Sequence, residues 1–204
     1  MFKQVKVGDM KNLSYVIGCD KTKRCAFVDP AWEEDKLFEA AEGYKPVAIL
    51  LTHTHFDHTE AVERVKERYP DIRIYVHSND EEKIDGSTPI SDGSVIEIGE
   101  IRIKVLHTPG HTSASVCYIF DDKLLTGDTL FINTIGRTDL PTGSASEMFN
   151  SIFNVIGGLS DDLQVYPGHS YGGVTKKLGE IRETNRYLQQ DGFEQFYDLR
   201  GGNP

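Results

Sequence analysis

Cysteine is scarce in this chain, since Cys19, Cys25 and Cys117 are the only three among 204 residues. They are widely spaced, odd in number and never arranged as a C-x-x-C pair, which argues against the disulfide framework of a secreted domain. A chain of this length can bury roughly 70% of its unfolded surface, so it can form a core without disulfides. We therefore expect three reduced thiols in a cytoplasmic protein.

Long hydrophobic runs are also absent. The longest aliphatic stretch covers residues 47–51, whereas a helix needs about 20 apolar residues to cross a bilayer. The first ten residues, MFKQVKVGDM, alternate like a strand and have no apolar region of the kind found in signal peptides. We expect neither secretion nor insertion into a membrane.

Positive charge is in short supply. The chain has 22 Lys and Arg residues against 32 Asp and Glu residues, which gives a formal net charge of -10. This acidic balance argues against nucleic acid or an anionic membrane as a partner. The sequence has no obvious linker, so residues 1–204 are expected to form a single domain. It leaves the oligomeric state open, including a homo-oligomer.

The sequence does contain an alternation of strand-like and helical patterns. Three short strands at the start predict an antiparallel meander, and two later pairs predict hairpins. Together these elements predict two packed sheets with helices outside, an α/β sandwich. The predicted strands are residues 2–7, 13–17, 25–28, 47–51, 72–76, 94–98, 101–106, 116–120, 123–126 and 164–166, and the predicted helices are residues 33–42, 59–68, 146–156 and 176–190.

Histidine is concentrated where one predicted strand ends. The run THTHFDH at residues 52–58 directly follows the strand VAILL and contains His53, His55, Asp57 and His58. On an extended chain His53 and His55 share one face, and the turn that follows can bring the other two to the same place. Three imidazoles and a carboxylate within six residues suit zinc, iron or manganese better than a hydrophobic interior.

Three later segments each place one potential ligand after a strand and a glycine. They are VLHTPGH, LLTGD and VYPGH, which end at His111, Asp128 and His169. Because glycine permits a sharp turn, four strand ends can converge on one edge of the sheets. A single histidine is more often structural than a ligand, but this combination predicts a metal site. We leave His77 and His107 outside the ligand set, as structural, packing or exposed residues.

These motifs resemble those of the metallo-β-lactamase superfamily. The order and spacing of HxHxDH at 53–58, HTPGHT at 107–112, GDT at 127–129 and YPGH at 166–169 match that family. The segments IGRTDLPTGSASEMF at 135–149 and TNRYL at 184–188 are similar to its glyoxalase II branch, whose relatives include thioester hydrolases and iron-dependent persulfide dioxygenases. The resemblance implies a four-layer αββα sandwich with metal ions at its edge.

The resemblance also implies how the ligands are shared. By position, the first ion would be held by His53, His55 and His111, and the second by Asp57, His58 and His169. Asp128 would bridge the two ions.

Two substrate contacts are implied by the same resemblance. Arg137 lies where the family has a basic glutathione contact, and Tyr171 matches a family tyrosine with the same role. Salt bridging within the loop and packing are the respective alternatives. Glyoxalase II proteins carry a C-terminal helical extension that contributes to glutathione binding. Here 35 residues follow His169, so we expect no such extension, which counts against glutathione as the substrate.

Three functions follow as hypotheses. The first is hydrolysis of a small-molecule thioester by two zinc ions, with iron or manganese as other metals, through a metal-bridging hydroxide that Asp57 orients. A thiolate leaves without much help from a general acid, which agrees with the lack of a Ser-His-Asp or Cys-His pattern. The main alternative is a persulfide dioxygenase with one iron on His53, His111 and Asp128. A non-catalytic metal-bearing scaffold is the remote alternative, because structural zinc sites are closed and often rich in cysteine.

Overall fold

The computed structural model describes residues 1–80 and 84–199. Its strands, in chain order, are β1 (Phe2–Val7), β2 (Asn12–Cys19), β3 (Arg24–Val28), β4 (Lys45–Leu50), β5 (Arg73–His77), β6 (Thr88–Ile90), β7 (Val95–Ile98), β8 (Ile101–His107), β9 (Val116–Phe120), β10 (Lys123–Gly127), β11 (Gln164–Pro167) and β12 (Lys176–Lys177). Its α-helices are α1 (Glu34–Ala40), α2 (Phe56–Thr59), α3 (Val62–Arg68), α4 (Ala145–Asn150), α5 (Leu178–Thr184) and α6 (Phe193–Leu199), and α4 continues as a π-helical segment (Ser151–Val155) and a 3-10 helix (Ile156–Gly158).

The first sheet contains the strands of the first half in the order β1-β2-β3-β4-β5-β6. Strands β1, β2 and β3 pair antiparallel, which confirms the predicted meander. From β3 to β6 the strands pair in parallel. Between β3 and β4 the chain returns to the starting edge through α1, and between β4 and β5 it returns through α2 and α3. The carboxyl ends of β3 and β4 therefore lie side by side.

The second sheet has the order β12-β11-β10-β9-β8-β7. The two predicted hairpins are confirmed as the antiparallel pairs β7–β8 and β9–β10. Strands β10 and β11 are parallel, since α4 lies between them in the chain. As a result β8, β10 and β11 all end at the same edge of this sheet.

Hydrophobic contacts define four layers. Tyr118 and its neighbours are buried between the two sheets. Leu37 of α1 and Val65 of α3 pack on the outer face of the first sheet. Met148 of α4 and Phe196 of α6 pack on the outer face of the second sheet. The predicted four-layer αββα sandwich is confirmed.

Hydrogen bonds between the sheets align the edge at which β4, β8, β10 and β11 end, here called the rim. Tyr118 Oη donates to Leu51 O at 2.7 Å, which connects β9 to the segment after β4. The backbone nitrogen of Leu13 donates to Gly168 O at 2.8 Å, which connects β2 to the segment after β11. The rim therefore combines loops from both sheets.

The last third of the chain departs from the predictions in detail. The helix predicted over residues 176–190 was wrong in extent, because β12 occupies its start and α5 ends at Thr184. The next residue, Asn185, is extended and its side chain binds the backbone carbonyls of Phe131 and Thr134 at 3.3 and 3.0 Å. The short elements β6 and α6 were not predicted. Within residues 1–80 and 84–199, no helix is long and apolar enough to cross a membrane.

Candidate metal centre

Four of the predicted ligands lie on the segment that follows β4. His53 and His55 lie between β4 and α2, outside any strand or helix, and Asp57 and His58 are in the single-turn helix α2. The ring centroid of His53 is 4.8 Å from that of His55 and 4.2 Å from that of His58. The start of a helix at Phe56 therefore brings these side chains to one place at the rim.

The other three predicted ligands come from the second sheet. His111 follows β8, Asp128 follows β10 and His169 follows β11. All seven residues meet in three overlapping groups, within each of which the potential ligand atoms lie within 4.8 Å of one another. The groups are His53 with His55 and His111, His53 with His58 and Asp128, and Asp57 with His58 and His169.

Asp128 lies between the two sides of this cluster. Its Oδ2 atom is 3.7 Å from His111 Nε2 and 3.3 Å from His169 Nε2. Its Oδ1 atom is 3.3 Å from His58 Nε2. One carboxylate thus faces donors on both sides, which is the position that a ligand shared by two ions requires.

Asp29, the residue after β3, fixes the orientation of two histidine rings. Its Oδ2 accepts hydrogen bonds from Thr52 Oγ1 at 2.7 Å and from His58 Nδ1 at 3.1 Å. Because the Thr52 hydroxyl gives its hydrogen to Asp29, it accepts one from His53 Nδ1, 3.1 Å away. Both rings therefore carry hydrogen on Nδ1 and turn Nε2 towards the cluster.

Backbone carbonyls orient two further rings in the same way. His111 Nδ1 donates to Arg137 O at 2.8 Å, and His169 Nδ1 donates to Met10 O at 2.9 Å. The Nε2 atoms of these rings point into the cluster, where those of His58 and His169 are 3.3 Å apart. The protein thus aims several nitrogen lone pairs at a common space.

Metal ions in this space would account for the arrangement. Among the described residues, His53 Nε2 and Asp128 Oδ1 are buried without a hydrogen-bond partner, which is costly for polar atoms. Two nitrogen lone pairs 3.3 Å apart repel each other unless a proton or a metal ion lies between them. Imidazole and carboxylate groups are suitable ligands for zinc, iron and manganese. The residues present therefore fit a metal centre.

The ionisation of the cluster agrees with this interpretation. Burial raises the pKa of Asp57, but the hydrogen bond with His169 and the charge of His58 outweigh burial and lower that pKa to about 2. Burial lowers the pKa of His169, but its hydrogen bonds with Asp128 and Asp57 raise it to about 9. Without metal, His169 therefore holds a proton at neutral pH, and a metal ion must displace that proton.

Asn12 and Gly168 at the rim support the predicted ligands in different ways, Asn12 by hydrogen bonds and Gly168 by leaving space. Asn12 Nδ2 donates to Asp57 O at 2.7 Å and to Asp57 Oδ2 at 3.2 Å. At Gly168 an added Cβ atom would lie 2.4 Å from Asp128 Oδ1 and 2.8 Å from His58 Cε1. A side chain at Gly168 would therefore displace at least one predicted ligand.

A cavity of about 720 Å³ opens beside the cluster. Five of the predicted ligands line it, which gives a bound molecule direct access to them: His55, Asp57, His111, Asp128 and His169. Much of the remaining wall is apolar and is formed by Met10, Phe56, Ala114, Phe131, Ile135, Leu140, Pro141 and Tyr171. This cavity is the candidate substrate site.

The two predicted substrate contacts line the same cavity. Arg137 forms a bidentate ion pair with Asp139, with both nitrogen–oxygen distances at 2.8 Å. The ring of Tyr171 stacks on His169, with centroids 4.9 Å apart and planes at 6°. Both side chains thus have the salt-bridging and packing contacts that the sequence left as alternatives. Their contact with a substrate stays a prediction.

His77 and His107 lie outside the three donor groups. Their rings stack on each other with centroids 4.0 Å apart and planes at 12°. His107 Nε2 donates to Ser113 O at 2.9 Å. The pair therefore has a packing arrangement of its own, as expected for residues left out of the ligand set.

Sequence reasoning missed Asp29, Thr52 and Asn12. For Asp29 a partial signal exists, since it directly follows a predicted strand, but its approach to the ligands depends on the parallel pairing of β3 with β4, which the structure shows. Thr52 is the first residue of the THTHFDH run, but nothing in the run distinguishes its hydroxyl from an ordinary loop side chain. Asn12 approaches Asp57 only through the packing of β2 against α2.

Comparison with known proteins gives a family match over most of the chain. The family model described as the metallo-beta-lactamase superfamily matches residues 7–169. This range includes all seven predicted ligands and the residues that orient them.

Individual relatives agree with that match. The chain is 34% identical to the probable polyketide biosynthesis zinc-dependent hydrolase BaeB of Bacillus velezensis, over 93% of this chain and 87% of that protein. It is 35% identical to a hydroxyacylglutathione hydrolase of Dictyostelium discoideum, over 92% of this chain and 72% of that protein. The crystal structure of ETHE1 from Myxococcus xanthus superposes with a TM-score of 0.91 at 28% identity, covering 98% of this chain and 90% of that one.

Proposed function

The chain belongs to the metallo-beta-lactamase superfamily, and from this premise we propose that it hydrolyses small-molecule thioesters with two metal ions, as a glyoxalase II-like enzyme. Similarity to a hydroxyacylglutathione hydrolase and to a zinc-dependent hydrolase supports hydrolysis. The observation that carries the proposal is the position of Asp128, which faces His111 on one side and His58 and His169 on the other. Seven donors divided in this way suit two ions better than one.

The residues of the chain have separate tasks in this mechanism. Bound divalent ions would supply an activated water and polarise the thioester carbonyl. Asp57 is ionised at neutral pH, because its pKa is lowered to about 2, and we assign it the orientation of the attacking water. Asn12 Nδ2 donates one hydrogen bond to that carboxylate and another to the backbone carbonyl of Asp57, and so holds the residue in place. The departing thiolate needs no protein acid, because a free thiol has a pKa of about 8.5.

We propose zinc as the metal, with two ions per chain. The donor types support this choice, and BaeB, at 34% identity, is described as zinc-dependent. Iron and manganese also accept imidazole and carboxylate ligands. Metal analysis of protein purified without added metal distinguishes these ions.

Arg137 and Tyr171 are proposed as substrate-binding residues at the cavity wall. Arg137 must exchange Asp139 for a substrate carboxylate before it can contribute. A glutathione thioester is therefore expected to be cleaved with a high KM.

We also propose that residues 1–204 act as a single domain in the cytoplasm. The three cysteines, Cys19, Cys25 and Cys117, are buried and form no disulfide with one another. Unpaired thiols of this kind support a reducing compartment.

A persulfide dioxygenase with one iron is the second candidate. His53 and His111 have ring centroids 4.9 Å apart, and His111 Nε2 is 3.7 Å from Asp128 Oδ2. Two histidines and one carboxylate on one face would leave positions open for oxygen and a persulfide. This arrangement uses neither His58 nor His169.

The two candidates can be separated through His58 and His169. In a two-metal hydrolase, His58→Ala and His169→Ala should each cut thioester turnover by orders of magnitude, because both ions are needed. Metal content, thioester cleavage and persulfide-dependent oxygen uptake are measured in each variant beside the parent protein. His107→Gln, outside the donor groups, is the matched control and should keep parental metal content. One tightly held iron with persistent oxygen uptake in both variants would overturn the hydrolase proposal.

A further inference from the structure

The buried part of the cavity wall, beside the predicted ligands, is apolar. Phe131 and Ile135 line the cavity and are each 3% exposed. The ring of Phe131 packs edge-on against His169, with centroids 5.9 Å apart, and against Tyr171, with centroids 5.1 Å apart. A group that reaches the metal centre therefore meets hydrocarbon surface next to the ligands.

The mouth of the cavity is apolar as well. Among the described residues, four large hydrophobic side chains are exposed, and two of them, Met10 and Phe56, line this cavity. Phe56 is 63% exposed, and its ring rests edge-on against Trp32 with centroids 6.2 Å apart. Exposed apolar side chains at a concave site are typical of surfaces that bind an apolar ligand.

Cationic side chains contribute little to the cavity. Among the described residues that line it, Arg137 is the one Lys or Arg, and Asp139 already engages it. Asp57 and Asp128 would face the metal ions, which leaves Asp80 as a further carboxylate among the described lining residues. A carrier with carboxylates near its sulfur would therefore meet no cationic side chain among these residues other than Arg137, which Asp139 already engages.

We infer that the substrate is a thioester with an apolar acyl group longer than two or three carbons, carried by a thiol that has no carboxylate near the sulfur. The cavity of about 720 Å³ has room for such an acyl group together with the part of the carrier next to the sulfur. The inference rests on the proposed thioester hydrolysis and adds the chemical class of both halves of the substrate.

The first test is a series of thioesters on N-acetylcysteamine, a neutral thiol, with acetyl, butyryl, hexanoyl and octanoyl groups, assayed with the metal-loaded protein. If each added methylene is buried against the wall, kcat/KM should rise about three- to fourfold per methylene, which gives roughly 80- to 250-fold over the four methylenes from acetyl to hexanoyl. Hexanoylglutathione should be a poorer substrate than hexanoyl-N-acetylcysteamine. Lactoylglutathione is assayed beside them as the small, polar comparison.

The second test uses variants at the mouth of the cavity. Phe56→Ala should lower the ratio of hexanoyl to acetyl turnover about tenfold, because one apolar wall is lost. Val95→Ala is the matched control, since Val95 is 44% exposed, lies in β7 and does not line the cavity. A readout independent of turnover is calorimetric binding of the product carboxylates, in which hexanoate should bind more tightly than acetate.

The outcomes separate the inference from the function on which it rests. A flat chain-length series, or a preference for lactoylglutathione, would overturn the inference and leave thioester hydrolysis standing. It would also be overturned if Phe56→Ala and Val95→Ala lowered the ratio of hexanoyl to acetyl turnover equally, or if hexanoate and acetate bound equally tightly. Failure to cleave any thioester would refute the proposed function and the inference together.

Discussion

Replacing Asp29 by Asn should weaken metal binding on both sides of the cluster. Asp29 Oδ2 accepts from His58 Nδ1 directly and reaches His53 through the Thr52 hydroxyl, while Oδ1 accepts from the Thr52 backbone nitrogen. Asn has the same shape but no charge. Either its N–H group faces His58 Nδ1 and the Thr52 hydroxyl, or a neutral amide oxygen replaces the carboxylate there as a weaker acceptor. In both orientations the hydrogen bonds that orient the two rings lose their charged partner.

The expected magnitude follows from that loss. A hydrogen bond to a charged group contributes about 1.5–3 kcal/mol, and about 1.4 kcal/mol corresponds to a tenfold change in affinity. The Kd for zinc should accordingly rise about 10- to 100-fold, the range expected when the partner of a metal-binding histidine is lost. Thr52→Val should raise the Kd mainly for the ion that His53 binds, because His58 keeps its bond to Asp29.

The measurement is a titration of metal-free protein with zinc in competition with a chromogenic chelator, for the parent, Asp29→Asn and Thr52→Val. Thermal unfolding of the metal-free forms shows separately whether each variant still folds. Unchanged affinity for both ions in a folded Asp29→Asn would refute the argument. The argument would also be refuted if Asp29→Asn weakened the binding only of the ion that His53 holds.

Three further predictions concern other parts of the site. Gly168→Ala should lose at least one ion per chain, measured by elemental analysis, because its Cβ would lie 2.4 Å from Asp128 Oδ1; full occupancy would contradict the assigned geometry. In metal-free protein the folded-state pKa of His169 is raised from 6.5 to about 9, so the stability that its proton contributes is present below pH 6.5 and is lost as pH rises to about 9. The parent should therefore lose more stability than His169→Gln over this interval in calorimetry at several pH values, and parallel curves would show that His169 does not hold the proton. Arg137→Ala should raise the KM for an acyl-glutathione with less effect on kcat. Asp139→Ala should lower that KM, because it frees the Arg137 guanidinium. A fall in kcat at constant KM in Arg137→Ala would exclude ground-state binding by Arg137.

The predicted ligands could be read from the sequence because their signals are local. His53, His55, Asp57 and His58 lie within six residues, and each later ligand directly follows a glycine at a strand end. How the donors group could not be derived from the residues alone. The pairing of His58 with His169 joins positions 111 residues apart, and it depends on the two sheets packing face to face.

Some element boundaries and the residues that support the ligands were harder to predict, because they too depend on contacts between residues that are far apart in the chain. The end of α5 is set by Asn185, whose side chain binds backbone carbonyls more than 50 positions away. The three-residue strand β6 is too short to show a period. Asp29 supports two ligands only because β3 and β4 are parallel neighbours, a pairing that a strand pattern does not specify.

The division of the donors between the two sheets has a consequence for the order in which a newly made chain becomes complete. During synthesis His58 emerges 111 positions before His169, so a ribosome-bound chain offers His53, His55, His111 and Asp128 well before it offers His169. A second ion of the proposed centre, which needs His169, would then enter only after β11 has joined the second sheet. Metal occupancy in the cell would therefore report assembly of the whole sandwich, and a chain interrupted before His169 would be recognisable by the ion it lacks.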